Sequence, residues 1–284
     1  MIFNYNEKRE VVALLGAGSM GTAIVERVAA GRTVLLGDIS EKILAQTAER
    51  LRYAGYFVET MRVDACDKES IEAFAQRAAE LGPVMYFVNT AGASPNQTNP
   101  AHIIRLDLVG SAYTLDAFGR VMARGGAGIL ISSMTGYMLP EPLTKEVEMA
   151  LTVTESDQLA ALPCLQPEAI SNSGIAYVMA KRANQLRVRK AAVEWGKRGA
   201  RINTISPGII VTPLAYDEFN AAGEAYQRMI EGTPMQRVGN PAEIANAAQF
   251  LMSEQASYIT GTDLLVDGGT IAAIKTGAKL VNLE

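Results

Sequence analysis

The sequence predicts an α/β fold in which a doubly wound parallel sheet carries helices on both faces. Three observations carry this. Short apolar runs of strand length alternate with helical stretches from Glu10 onward. Most of the runs are largely apolar, which suits strands buried on both faces. No repeat, linker or low-complexity stretch divides the chain, so residues 1–284 read as one domain.

The elements follow in order. "EVVALL" (10–15) is the first strand, and "MGTAIVERVAA" (20–30) a helix with Ile24, Val25 and Val28 on a common face. "TVLLG" (33–37) is the second strand, and "EKILAQTAERLRYAG" (41–55) a helix closed by Gly55. "YFVETMRV" (56–63) is a strand, and "KESIEAFAQRAAELG" (68–82) a helix closed by Gly82. "VMYFVN" (84–89) is the fourth strand, 102–125 a long helix, and "AGILISS" (127–133) the fifth strand. An irregular middle with a helix over 144–162 precedes a helix over 175–197, the strand "RINTIS", a helix over 241–253 and the strand "DLLVD". Buried strands separated by helices require right-handed crossovers, hence a parallel sheet.

Composition narrows the chemistry. Apolar residues make up 49% and charged residues 20% of the chain, and the formal net charge is −4, so no basic surface points to nucleic acid or an anionic membrane. Two cysteines, Cys66 and Cys164, form neither a disulfide framework nor a zinc pattern. His102 is the only histidine and no G-x-S-x-G elbow occurs, which argues against a Ser-His-Asp hydrolase and a His-rich metal site. Its place in "NPAHIIRLD" reads as an exposed helix start. "MIFNYNEKRE" lacks the apolar core of a signal peptide and no run of 18 apolar residues exists. The expectation is a soluble cytoplasmic protein without metal.

The first turn, "GAGSMG", places Gly16, Gly18 and Gly21 between a strand and a helix. In that context G-x-G-x-x-G is the fingerprint of a Rossmann-type dinucleotide site. The helix N-terminus around Ser19 and Met20 accepts the pyrophosphate. Asp38 lies 22 positions beyond Gly16, where a carboxylate accepts hydrogen bonds from the adenosine ribose hydroxyls. The alternative for Asp38 is a helix cap before "SEKIL". No Lys or Arg occupies 39–41, so a 2′-phosphate would meet Asp38 without a compensating cation. NAD is favoured over NADP.

"GIAYVMAKRAN" (174–184) places Lys181 four residues after Tyr177, and residues i and i+4 share a helix face. A phenol of ordinary pKa near 10 is a poor base at neutral pH. An ammonium within roughly 4–6 Å favours the phenolate and lowers that pKa by about 1–3 units. Such a tyrosine takes a proton from an alcohol, or returns it to a ketone oxygen.

With these stretches in hand, the chain resembles the short-chain dehydrogenase/reductase family from about Val11 to Gly269. "NTAG" (89–92) resembles the family's N-N-A-G, and Asp64 in "RVDACD" sits where members contact the adenine. "ISSMTG" (131–136) resembles the stretch holding the catalytic serine, which selects Ser133, and "YVMAK" matches Y-x-x-x-K. "RINTISPGIIVTP" (201–213) and "PMQRVGNPAEIANAAQFLMSEQASYITGTDLLVDGG" (234–269) resemble its C-terminal signatures. The resemblance implies an oxidoreductase that uses NAD to interconvert a secondary alcohol and a ketone. Tyr177 would be the general acid/base, Ser133 would hold the substrate oxygen, and Lys181 would bind the nicotinamide ribose. It implies cofactor contacts from Gly16, Gly18, Ser19, Met20, Gly21, Asp38, Ile39, Asp64, Ala65, Asn89, Ala91, Gly92, Tyr177, Lys181, Pro207, Gly208, Ile210 and Thr212.

Three departures accompany the resemblance. The glycine turn is one residue shorter than the family's usual G-x-x-x-G-x-G. The family's helix asparagine, the fourth catalytic residue, aligns with Asp107. Ser133 and Tyr177 are 44 positions apart, further than the family usually has, which marks an insertion over about 138–174. A similar insertion, and a run like "VRKAAVEWGKRG", occur in the 3α-hydroxysteroid dehydrogenase/carbonyl reductase subgroup. Hydroxysteroids or bulky ketones are the substrate class this implies. A homodimer or homotetramer is expected, with the insertion at a subunit interface or in the cleft wall. The alternatives are an NADP-dependent carbonyl reductase and a dinucleotide-binding regulatory protein without turnover.

Overall fold

The computed structural model describes residues 8–213, 227 and 230–277. Its sheet has seven parallel strands: β1 (Val11–Leu15), β2 (Thr33–Asp38), β3 (Phe57–Arg62), β4 (Val84–Asn89), β5 (Met122–Ile131), β6 (Arg201–Pro207) and β7 (Asp263–Val266). They lie in the order β3-β2-β1-β4-β5-β6-β7. The chain runs outward through β2 and β3, then returns to place β4 on the other side of β1. Crossovers from β1 and β4 therefore depart in opposite directions. That leaves a crevice at the C-terminal ends of these strands, where Leu15 stands beside Asn89.

Successive side chains of a buried strand point to opposite faces, and β1 shows the consequence. Val12 and Leu14 enter one apolar layer with Ile24 and Val25 of α1 (Ser19–Val28), Leu44 and Leu51 of α2 (Glu41–Tyr53), and Ile244 and Ala248 of α8 (Pro241–Met252). Val11, Ala13 and Leu15 enter the other, with Ile71 and Phe74 of α3 (Lys68–Leu81), Phe118 of α5 (Ser111–Val121), and Val188 and Trp195 of α7 (Ser173–Lys197). The elements begin with the caps their residues supply. Ser40, Asp67 and Asn240 accept backbone N–H bonds at the starts of α2, α3 and α8. Gly55, at φ 90°, closes α2 in the left-handed region. A last helix, α9 (Thr270–Thr276), follows β7.

The long helix predicted over 102–125 departs from expectation at both ends. Asn99 caps α4 (Pro100–Ile103), which passes through a π-helical stretch, Ile104–Gly110, into α5. Gly110 lies so close to the Ala65 carbonyl that any Cβ would collide with it. The helix can therefore press onto the end of β3. α5 stops at Val121, and Met122 already pairs with Val84 in the sheet. The Met122 side chain is fully buried, and that burial outweighs its helix propensity.

The helix predicted over 144–162 is also shorter. α6 spans Lys145–Val153, and two 3₁₀ turns, Ser156–Ala161 and Pro163–Leu165, follow. The break has a cause in α7: Arg187 donates from Nη1 to the carbonyls of Leu151 (3.0 Å) and Thr154 (2.9 Å). Those carbonyls turn toward a buried guanidinium rather than continue a helix. Leu151, Leu159, Leu165 and Ile170 close a third apolar cluster with Ile103, Leu108, Met179 and Ala183. Residues 138–174 therefore pack against α7 and the π-helical stretch. No described helix is long and apolar enough to cross a membrane.

Candidate active site

The crevice beside β1 is built by two turns that press together. Gly16 has φ 90°, and a Cβ there would lie 2.6 Å from Ala91 N. Thr90 Oγ1 donates to Gly16 O at 2.7 Å, and Asn89 holds its own turn by accepting from Ala91 N at 2.9 Å. Asn89 Nδ2 in turn donates to Thr114 Oγ1 at 3.1 Å, anchoring this turn to α5. Gly21 is equally confined, 2.6 Å from Gly16 O at the Cβ position, whereas Gly18 faces open space with no atom within 4 Å. The N-terminus of α1 has Gly18 as its cap without a side-chain bond, and no acidic residue lies in its first turn. Such an end accepts an anion. The Ser19 backbone opens this helix, while the Met20 side chain packs into the first apolar layer.

Asp38 ends β2 facing this turn. Its Oδ2 accepts from Ala17 N at 2.8 Å and its Oδ1 from Ser40 N at 2.9 Å, so it shapes the glycine turn as well as the start of α2. The α2 cap itself is Ser40, not Asp38. Each carboxylate oxygen keeps a lone pair for a further donor. Ile39, beside it, is 55% exposed. Asp64 accepts from Cys66 N at 2.8 Å, and Ala65 is buried under Gly110. Burial first, and the Asp64 charge second, push the Cys66 thiol up to about 11.

Across the crevice, α7 presents Tyr177 and Lys181. Lys181 is buried, with its Nζ 5.1 Å from the Tyr177 ring centroid and 3.0 Å from Asp107 Oδ2. Asp107 is fully buried in the π-helical stretch. Its Oδ1 accepts from Ala93 N at 2.8 Å, and its carboxylate lies against Gly92, where a Cβ would stand 3.2 Å away. Burial by itself lowers the Lys181 pKa. The Asp107 charge, the Tyr177 side chain and the bond to Asp107 outweigh it and hold the ammonium above the ordinary lysine range.

Ser133 follows β5. Its Oγ accepts from Thr135 N at 3.2 Å, leaving the hydroxyl hydrogen to donate. The preceding residue, Ser132, donates to the Lys181 carbonyl at 2.8 Å, which fixes the end of β5 against α7. Beyond β6, Gly208 N donates to Val266 O at 2.9 Å, and a Cβ on Gly208 would meet Asp267 Cα at 2.6 Å. Ile210 bridges to Gly239, and Thr212 lies half-buried at the edge of the described residues. Gly208 and Ile210 line a cavity of about 530 Å³ with Thr233, Met235, Gly268 and Gly269. A cavity of about 670 Å³ lies elsewhere, between α5, α7 and Glu155–Asp157, and none of the predicted site residues lines it.

The structure thus gathers Gly16, Gly18, Asp38, Asn89, Gly92, Asp107, Ser133, Tyr177 and Lys181 at the C-terminal ends of the strands. It also adds two residues that sequence reasoning passed over. Asn184 is fully buried and donates to the Asp107 carbonyl at 2.8 Å, and Gln185 is buried between Ser133 and Ser206. Their signal in the sequence is two polar side chains on the helix face that follows Tyr177 and Lys181.

A family model described as Enoyl-(Acyl carrier protein) reductase matches residues 16–149 and 159–270. A short-chain dehydrogenase/reductase, bsc3, from Alternaria brassicicola is 37% identical over 265 residues, 93% of this chain and 96% of that protein. An NADH-dependent L-xylulose reductase from Ambrosiozyma monospora is 30% identical, covering 89% of this chain and 91% of its own. A 3-alpha-hydroxysteroid dehydrogenase/carbonyl reductase from Comamonas testosteroni is 30% identical, covering 85% and 97%. The glycine turn, the buried Lys181 beside Tyr177 and these likenesses lead to one conclusion: the chain belongs to the short-chain dehydrogenase/reductase family, oxidoreductases that act on CH–OH groups.

Proposed function

We propose that this protein is an NAD-dependent oxidoreductase interconverting a secondary alcohol and a ketone. The observation that carries the proposal is the face of α7 that presents Tyr177 beside the buried, charge-paired Lys181, with Ser133 anchored to the same helix. The residues fit a dinucleotide. Gly18 leaves open the approach to the α1 N-terminus, Asp38 keeps acceptor capacity for ribose hydroxyls, and Asn89 to Gly92 form the facing wall. When bound, the nicotinamide supplies the hydride chemistry.

The chain's own residues handle the oxygen and its proton. The Ser133 hydroxyl donates to the substrate oxygen and holds it toward Tyr177. In oxidation the Tyr177 phenolate takes the hydroxyl proton as the carbonyl forms; in reduction the phenol returns it. The Lys181 ammonium favours the phenolate and would donate to the ribose of a bound nicotinamide. Asp107 keeps that ammonium charged and aimed.

NAD is preferred to NADP because Asp38 presents negative charge where a 2′-phosphate would lie. Hydroxysteroids or bulky ketones are the substrate class we favour, a reading supported by the resemblance of segment 138–174 and by the hydroxysteroid-acting relative. The xylulose-reducing relative makes small polyols and ketoses the contrasting class. The functional unit is a homo-oligomer.

The test is a panel of alcohols and ketones with NAD(H) and NADP(H), followed at the nicotinamide absorbance. Turnover that Tyr177→Phe abolishes, by about 100-fold or more, is the expected result. A wild type that binds NAD yet turns over no carbonyl or alcohol would instead be a regulatory binding protein.

A further inference from the structure

The turn that carries Ser133 is held from behind by a polar chain that reaches across two strands. Gln185 is buried, two helical turns beyond Tyr177 and one beyond Lys181 on α7. Its Nε2 donates to the Ser133 carbonyl at 3.2 Å and to Ser206 Oγ at 3.0 Å. Ser206, at the end of β6, donates to Asp263 Oδ1 at 2.8 Å, and Thr204 donates to the same oxygen at 2.6 Å. Asp263 Oδ2 then accepts from the Tyr137 hydroxyl at 2.6 Å. Tyr137 closes the 3₁₀ turn Met134–Tyr137 that Ser133 opens. The turn is therefore tied down at both ends, at Ser133 through Gln185 and at Tyr137 through Asp263.

Packing makes the Gln185 contact specific. A Cβ on Gly136 would lie 2.6 Å from Gln185 Nε2, so the turn lies directly on the amide. Gly136 N also donates to the Ser133 carbonyl at 3.1 Å, which gives that oxygen two donors. A buried amide is rigid with both Nε2 donors used and its Oε1 accepting from Arg182 Nη1 at 3.4 Å, and losing the donors would cost Ser206 Oγ and the Ser133 carbonyl one buried hydrogen bond each. Ser132 already ties the strand end to the Lys181 carbonyl. Gln185 fixes the next peptide, the one that determines where the Ser133 hydroxyl points.

We propose that Gln185 is a positioning residue that acts through Ser133. Its amide locks the serine in register with Tyr177 and Lys181 because Gln185, Tyr177 and Lys181 all project from α7. The inference rests on the function proposed above and adds a residue to its proton-handling site. A misplacement of about 1 Å in such a constellation costs about 100-fold in rate.

The experiment is a double-mutant cycle in the full chain, with Gln185→Met, Ser133→Ala and the pair, reading kcat, the KM for NAD and the thermal midpoint. Gln185→Met keeps the volume and removes the donors. The expected result is a fall in kcat of about 10- to 100-fold with the KM for NAD within about 2-fold, and no further loss when Gln185→Met is added to Ser133→Ala. Equal losses in both backgrounds, or an unchanged kcat, overturn the proposal. If Gln185→Met does not fold, Gln185→Glu, of the same shape but without the amide donors, is read by the same criteria. An active wild type with an indifferent Gln185 refutes this inference alone. A wild type without turnover on the panel refutes the proposed function and this inference with it.

Discussion

Lys181 Nζ and Asp107 Oδ2 stand 3.0 Å apart, with 6% of the lysine side chain and none of the aspartate exposed. An asparagine at position 107 would present a neutral amide to the lysine. We propose that the carboxylate instead neutralises part of the ammonium's field at Tyr177.

Asp107→Asn removes that negative charge and leaves the shape unchanged. With Lys181 still charged, the phenolate is then opposed by one fewer anion, so Tyr177 loses its proton at lower pH. The expected outcome is retained turnover with the rising limb of alcohol oxidation displaced by about one pH unit toward acid. The measurement is kcat/KM against pH for both proteins. Superimposable profiles would place Asp107 outside the proton path.

The proposed preference for NAD assigns cofactor choice to Asp38. Its carboxylate repels a 2′-phosphate, so Asp38→Ala is expected to narrow the NAD-over-NADP preference by about 10-fold or more, the equivalent of about 1.4 kcal/mol. Because Asp38 also accepts from Ala17 N and Ser40 N, NAD binding itself weakens in the variant. The check is kcat/KM with each cofactor. A wild type that prefers NADP, or a variant with the same discrimination, refutes the role.

The two glycines of the first turn differ in what they permit. Gly16→Ala forces a side chain onto the Thr90–Ala91 backbone at a φ of 90°, and is expected to lower the thermal midpoint as well as NAD affinity. Gly18→Ala meets no protein atom within 4 Å, so the fold is unaffected. If the pyrophosphate crosses Gly18, the added methyl weakens NAD binding by about 10-fold at constant thermal midpoint. Titration calorimetry beside a thermal melt separates the two effects.

Segment 138–174 is structural before it is anything else. Leu151 is fully buried, and Leu151→Ala is expected to cost about 2–5 kcal/mol in denaturant unfolding. Excising 141–172 behind a short linker strips Arg187 of its carbonyl acceptors at Leu151 and Thr154, and exposes the cluster against which the Tyr177 ring packs. A lowered thermal midpoint together with lost turnover is the expected outcome. A shortened chain as stable and as active as the wild type would make the segment a passive surface loop.

What the sequence determined by itself is what depends on neighbours along the chain. Strand and helix periods, the strand–glycine–helix turn at Gly16, the position of Asp38 at the end of β2, and the shared face of Tyr177 and Lys181 all follow from local geometry. The tertiary structure decided the rest. Met122 left the helix for the sheet because its side chain could be buried there. The helix expected over 144–162 stopped at Val153 because Arg187 needed carbonyl acceptors. Asp107 met Lys181 only when a π-helical stretch, seated through Gly110 on Ala65, carried it into the crevice. Asn184 and Gln185, passed over in the sequence, are internal bracing because α7 is covered by the sheet on one side and by segment 138–174 on another. A spacing rule describes what one helix presents. It cannot describe what a second element brings to meet it, because the free energy of burial belongs to the pair.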